Sequence, residues 1–407
     1  MWRLGFFFHE VAFGLLSVFI PLYIVTFQNT SLLGGPLVAL GVMVSLAVFC
    51  SIPASLLWGY LCDKMRHYKI FILLSFSSSA LILFLMTLPF ASNIAVFVVL
   101  YVIMQMLHVA HEAPKNVLIA EHYSREDWEK SYGFYEALTE VGFIIGLAIG
   151  LFAYLSTIAL SVLATNILYL CSGLSVIAFV LSIFLVADPL MIFERRLVGI
   201  ERRIDYTYRG IETSSRMMDG LKYDGGLKET NFLGFAFAIV LFALATSLVF
   251  TPMPLFLSQG LNLPRYMVYV AYILNSVGTT IGYFMMRRYA RSIDLRKQMP
   301  RFILLRSLLV FGLVGVIELA FLPTMMTCVL LVFLGFVFAM YYIMMISLSM
   351  EVIPSGKAGF FDGLVGVGTA FGAFLGPFLA ENINYVPMFL IAAVVFLSAY
   401  VTLKIFS

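Results

Sequence analysis

Twelve apolar stretches of about twenty residues follow one another along these 407 residues, separated mainly by short, basic turns. A bilayer needs roughly 20 apolar residues per helical crossing, so each stretch is long enough to span. The first six run Gly5 to Phe27, Leu37 to Leu61, Ile70 to Pro89, Ile94 to Ala120, Tyr132 to Leu155 and Leu163 to Ala187. The second six run Phe232 to Leu257, Tyr266 to Arg288, Phe302 to Leu322, Met325 to Met350, Gly359 to Ala380 and Val386 to Phe406. Charged residues make up 12% of the chain, about half of what a soluble domain carries. The fold class is therefore all-α integral membrane. The first stretch lacks a cleavage site of small residues and is read as staying in the membrane. Cys50, Cys62, Cys171 and Cys328 stand singly, without the paired spacing of a zinc or redox site, and are read as packing residues.

Basic residues stay on the cytoplasmic side of short loops. One set of connections holds Lys64, Arg66 and Lys69, Arg125 and Lys130, the segment from Arg195 to Lys228, Arg287 to Arg301, and Lys357, while the opposite set holds Arg265. Arg3 and Lys404 then place both termini in the cytoplasm, with a cell membrane as the expected location.

From Asp188 to Asn231 the apolar pattern gives way to mixed charge, which divides the chain into residues 1–187, a linker at 188–231, and residues 232–407. Within the linker Phe193, Leu197, Ile200, Ile204, Tyr208 and Ile211 recur every three or four residues, the pattern of an amphipathic helix on the inner membrane surface or packed on the ends of the spans. The two halves also look alike. Gly133, Gly142, Gly146 and Gly150 have counterparts 230 positions later at Gly363, Gly372, Gly376 and Ala380. Pro21 matches Pro254 in context, and Gly59-Tyr60 matches Gly282-Tyr283. These matches argue for a duplication of six spans, as in many transporters.

Between the second and third spans stands Gly59-Tyr60-Leu61-Cys62-Asp63-Lys64-Met65-Arg66-His67-Tyr68-Lys69. It resembles the G-x-L-a-D-[RK]-x-G-R-[KR] signature of the major facilitator superfamily, with matches at Gly59, Leu61, Asp63 and Lys64. Arg66, His67 and Tyr68 depart from it. The spacing of Gly133, Gly142, Gly146 and Gly150 is similar to the antiporter motif of that family, with Leu147 where a proline is usual; Gly376-Pro377 restores the pair in the second half. The resemblance implies twelve helices in two pseudo-symmetric six-helix bundles. It also implies a conformational gate formed by Gly59, Asp63, Lys64, Gly142, Gly146, Gly150, Gly372, Gly376 and Pro377. In the family the acid at Asp63 lies near the cytoplasmic N-terminus of the eleventh helix, around Lys357 to Gly359, where the helix dipole favours a carboxylate. Glycines at this spacing let helices approach closely, for sliding or for ordinary tight packing.

Charges in hydrocarbon are costly, by about 2.5–3.5 kcal/mol on insertion scales, so each asks for a role. His108, His111, Glu112 and Lys115 share one helical face of the fourth span by their spacing. His9 and Glu10 lie on the first span, and Glu136 and Glu140 are one turn apart on the fifth. A carboxylate in a partly dehydrated cavity can exchange protons near neutral pH, which makes Glu10, Glu112, Glu136 and Glu140 the candidate proton carriers. Lys115 is a candidate ion-pair partner of Glu112 or Glu136, or a lure for an anionic solute. His9, His108, His111, Lys115 and Asn275 are the candidate cavity residues. Three histidines with acids also suit a divalent metal, but His9 lies on a different span from His108 and His111, so no metal site is assigned. In the second half Arg306 and Glu318 lie on the ninth span, which in the family faces lipid; that half is expected to supply shape and apolar contacts.

The chain is accordingly read as a secondary transporter that moves a small organic solute by alternating access, as a proton-coupled antiporter working in efflux. The alternatives are an uncoupled facilitator, a divalent-metal exporter, a non-transporting receptor or scaffold, and a membrane enzyme using His111 and Glu112. No nucleotide-binding motif is present, so no cofactor is expected and the proton gradient is the expected energy source. Expected partners are the solute, protons and membrane lipids, with no nucleic acid; the chain is read as a monomer and not as an enzyme.

Overall fold

The computed structural model describes residues 2–27, 34–65, 67–122, 128–156, 160–188, 232–289, 295–319, 323–352 and 358–406. The linker helix expected within 188–231 lies outside these residues, apart from Asp188. No strand occurs among the described residues. The first half contains α1 (Arg3–Ile24), α2 (Pro36–Met65), α3 (Tyr68–Leu85), α4 (Ile94–His108), α5 (Glu112–His122), α6 (Trp128–Leu155) and α7 (Leu160–Leu185). The second contains α8 (Phe232–Phe250), α9 (Arg265–Tyr289), α10 (Leu295–Leu319), α11 (Pro323–Val352), α12 (Ala358–Asn382) and α13 (Tyr385–Phe406).

Two spans are broken where proline requires it. The fourth consists of α4 and α5 joined by a 3₁₀ turn, Val109–His111. Pro114 has no N–H to give to Ala110, and its ring crowds that carbonyl. The seventh span stops at Phe250 and resumes, past Pro252, as a short turn Met253–Leu255 and a π-helical turn Phe256–Gly260.

Helix pairing repeats between the halves. In the first, α1 packs on α6 and α7, α3 on α7, and α2 on α4; in the second, α8 packs on α12 and α13, α10 on α13, and α9 on α11. Each pairing in one half therefore has its equivalent six spans later. The halves meet through α6 with α9 and α2 with α12, which are themselves equivalent under that exchange.

Glycine makes the repeated pairing possible. A Cβ on Gly142 would stand 2.7 Å from the Phe7 carbonyl oxygen, and one on Gly146 would fall on the Val11 carbonyl. On α12, Gly372 and Gly376 face the Leu244 and Leu248 carbonyls of α8 in the same way.

Eleven helices among the described residues are long and apolar enough to cross a bilayer. The remaining span, α9, has 25 residues, about 37 Å at 1.5 Å per residue, and crosses with a polar inner face. Tyr269, Ser276, Thr279 and Tyr283 are buried, pressed against α6 and α11. This is a multi-pass integral membrane protein. At one membrane surface Asp188, just past α7, accepts a hydrogen bond from the Lys69 amide (2.8 Å) and lies 3.3 Å from His67 Nδ1, tying the end of the sixth span to the start of the third.

Candidate functional site

A cavity of about 540 Å³ lies between the halves, within the range of small-molecule sites. The first half lines it with Glu10, Phe13, Ser17, Tyr101, Gln105 and Phe143, and the second with Phe242, Thr246, Phe250, Tyr272, Phe338 and Tyr341, among others. Its wall is mainly aromatic and aliphatic. Glu10 is the one carboxylate in that lining. Gln105 and Tyr272 were missed from the sequence, although a lone glutamine in the apolar run of α4 is a readable signal.

Behind the wall, the ionisable residues of the first half converge. Lys115 and Glu112 form an ion pair through Glu112 Oε2, and His111 Nε2 lies 3.3 Å from Glu112 Oε1. The Lys115 ammonium also stands 5.6 Å from the centre of the Tyr135 ring. Of its two expected roles, Lys115 therefore takes the ion pair. Glu136 lies within electrostatic reach of Lys115 and Glu112, and Glu10 within reach of all four of Lys115, Glu136, Glu112 and Glu140. Glu140 turns elsewhere: it faces the Ser276 hydroxyl of α9, in the other half.

The histidines, on different spans in the sequence, are in contact in space. His9 Nε2 is 3.0 Å from His108 Nδ1, the two rings are stacked, and the His108 and His111 rings lie edge to face with centroids 4.7 Å apart. The 3₁₀ turn before Pro114 brings His108 and His111 to α1. None of the three lines the cavity. Asn275, expected in the cavity, instead donates from Nδ2 to the Leu331 carbonyl (2.8 Å) and pins α9 to α11.

A family model described as the Major Facilitator Superfamily matches residues 4–366. The chain belongs to that superfamily. Among solved structures it is similar to the xylose transporter XylE from E. coli in a partially occluded inward-open conformation. That match has a TM-score of 0.69 at 15% identity, covering 98% of this chain and 97% of that one. It is also similar to a mutant form of the nucleoside transporter NupG, with a TM-score of 0.66 at 14% identity, covering 100% and 98%. At these identities the likeness shows the fold. Comparison with curated proteins gives no match. As a member of the superfamily, the protein moves a small solute by alternating access and is a transporter, not an enzyme.

The residues expected to gate this major facilitator fall into separate groups. Gly142, Gly146, Gly372 and Gly376 pack helices inside each half. Gly150 crosses between halves, where a Cβ would fall on the Tyr269 ring of α9, and Pro377 crosses too, its Cβ standing 3.1 Å from one built on Gly41. A Cβ on Gly59 would meet nothing within 4 Å, and Lys64 lies over the Tyr60 ring at 5.9 Å. The side chain of Asp63 and residue Lys357 are outside the described set.

Arg306 corrects the expectation for the ninth span. It does not face lipid: it is 1% exposed and points into the second half. Its guanidinium sits 5.0–5.4 Å from the ring centres of Phe242, Phe250, Phe338 and Phe396 and donates to the Leu334 carbonyl at 3.3 Å. Stacking over ring faces is a favourable place for a planar cation. Phe242, Phe250 and Phe338 are also cavity walls, so a fixed positive charge stands directly behind them.

Proposed function

We propose that this transporter exports a small organic solute in exchange for protons, driven by the proton gradient without another cofactor, with Glu136 and Glu140 carrying the proton. The observation behind this reading is that Ser276 in one half stands against Glu140 in the other. A carboxyl that meets water in one arrangement of the halves and apolar surroundings in the other releases its proton in the first and takes one up in the second. The α6–α9 contact must change as the halves rock. A hydrogen bond to a charged carboxylate is roughly twice as strong as one to its neutral form. Proton exchange at Glu140 and movement of the halves thus act on the same contact. Glu136, one turn away, is close enough to Lys115 for its charge to be felt there, whereas Glu112 is already held by Lys115 and His111.

Glu10 then serves as the carboxylate that meets the solute. The aromatic wall suits a solute with a flat or apolar body and few polar groups. Such a solute carries fewer polar groups than the xylose or the nucleosides for which the two similar transporters are named. In this reading the basic loops and both termini face the cytoplasm of a cell membrane, and the protein works as a monomer.

The test is purified protein in liposomes with an internal pH dye, challenged separately with lipophilic cations, organic anions, sugars and divalent metals. One class is expected to drive proton movement that Glu140→Gln and Glu136→Gln abolish. Solute flux with no proton signal in the wild type overturns the coupling, and a signal unchanged in both variants overturns the assignment.

A further inference from the structure

We propose that His9, His108 and His111 form a binding site for a divalent transition metal of the zinc class, with the Glu112 carboxylate beside His111 as an outer partner. One ligand atom from each histidine can be chosen so that all three lie within 4.8 Å of one another. In a tetrahedral site with metal–nitrogen bonds of about 2.0–2.1 Å, neighbouring donor atoms stand about 3.3 Å apart. His9 Nε2 to His108 Nδ1 is 3.0 Å, and His111 Nε2 to Glu112 Oε1 is 3.3 Å. The His9–His108 edge of such a polyhedron is therefore nearly in place without an ion, and Glu112 stands against His111 outside the three-histidine group.

The surroundings fit as well. Ser75 Oγ donates to the His108 carbonyl at 2.9 Å and lies 3.0 Å from His111 Nδ1. Accepting the Nδ1 proton there would fix the His111 tautomer and leave Nε2 free to bind, the outer-shell arrangement common to metal-bound histidines. Phe6, Phe13 and Phe76 pack around the rings. His9 is 0% and His111 2% exposed, and buried His9 Nδ1 has no hydrogen-bond partner, so the protein leaves imidazole capacity unused. The Glu112 side chain is 39% exposed, which gives an ion a polar way in.

Lys115 is the opposing charge. It pairs with Glu112 Oε2, and Glu10 and Glu136 add carboxyls within electrostatic reach. Because the histidines stand behind the cavity wall, the ion would be a resident one that ties α1 to the break in the fourth span, not the cargo. The site is independent of the proton-coupling reading, which uses Glu136 and Glu140.

The test uses the full chain, purified in detergent with its affinity tag removed and metals stripped by chelator, then titrated with Co²⁺. A saturable visible d–d band at one ion per chain, lost on adding Zn²⁺, is expected. His108→Ala and His9→Ala should abolish it, Glu112→Gln should weaken affinity about ten-fold or more, and His67→Ala, far from the cluster, should leave it unchanged. Melting curves run alongside should show zinc raising the Tm of the wild type but not of His108→Ala. If alanine disturbs folding, His108→Asn, at a half-buried ring, gives the same reading. Absence of saturable binding in the wild type overturns the site, as does wild-type affinity in a folded His108 variant.

Discussion

Lys115 in the first half and Arg306 in the second are both buried cations, 8% and 1% exposed, balanced by different means. Lys115 has a carboxylate, Glu112, which also faces His111, and two more acids nearby. Arg306 has four phenylalanine rings and one carbonyl; among the described residues it forms no salt bridge, and its Nε has no partner. The helices of the two halves repeat, but their chemistry does not. A cation held by acids sits among groups whose chemistry allows them to exchange protons and ligands. A cation held by rings is a fixed charge, which shapes the potential behind the cavity and has nothing to hand a proton to.

Removing the cation on each side should expose that contrast. Lys115→Met leaves Glu112 without its partner and is expected to cost about 3 kcal/mol, the low end for breaking a buried pair because Glu112 is partly exposed. The measurement is thermal unfolding in detergent. Adding Glu112→Gln in the same chain should recover most of the loss, since no unpaired charge then remains. A Lys115→Met protein as stable as the wild type would show that the pair is not what holds this cluster.

The next effect should be equal in the two halves. Gly146→Val and Gly372→Val each drive a branched side chain onto a backbone carbonyl of the first helix of their half, Val11 and Leu244 respectively. Overpacking of this kind costs about 2 kcal/mol, and both variants should lower the Tm alike. Gly59→Ala, which meets open space, should not. A loss confined to one half would mean that the glycine pairing is not a shared structural device.

The glycine pairing, unlike the cluster, was legible in the sequence. Twelve spans, the internal repeat and the acids near one end all follow from hydropathy and from spacing at one offset, because a bilayer forces each segment to declare its length. Spacing along one helix says which residues share a face, but not which helix that face meets. His9 and His108 are 99 positions apart, so their contact could not be read; Pro114, which turns the fourth span toward α1, is the one local sign of it. Arg306 looked lipid-facing from its span alone, whereas a cation that costs several kcal/mol in hydrocarbon turns inward. Asn275 looked like a cavity residue because polar groups in a span need a partner, and the partner it found was the backbone of α11.

Arg306→Met should be the milder half of the cation comparison, with a stability change within about 1 kcal/mol, because it leaves no anion stranded and spares the desolvation of a guanidinium. Its larger consequence should appear in solute choice. Removing the positive charge behind Phe242, Phe250 and Phe338 should weaken anionic solutes relative to neutral ones in a competition assay. Equal weakening of both would assign Arg306 to packing.

The smallest expected effect lies where the halves touch through α2 and α12. Glu381, near the end of α12, accepts a hydrogen bond from the Leu37 amide at 3.1 Å, at the start of α2, where unpaired amides and the helix dipole favour a carboxylate. Gly35 makes the approach possible: its φ is +118°, and a Cβ there would collide with Glu381 Oε1. The family resemblance gives Asp63, at the far end of α2, the mirror-image role at the start of α12, so the two acids would alternate as one end of the protein closes and the other opens. Glu381→Ala should lose about 0.5–1 kcal/mol from the state with this end closed, a shift of about 2- to 5-fold in population, read as faster labelling of a cysteine placed at Val44 in the cavity from that side. Asp63→Ala should shift labelling in the opposite sense. Shifts in the same sense would show that the two ends do not oppose each other, and would separate the symmetry of the helices from any symmetry of the gate.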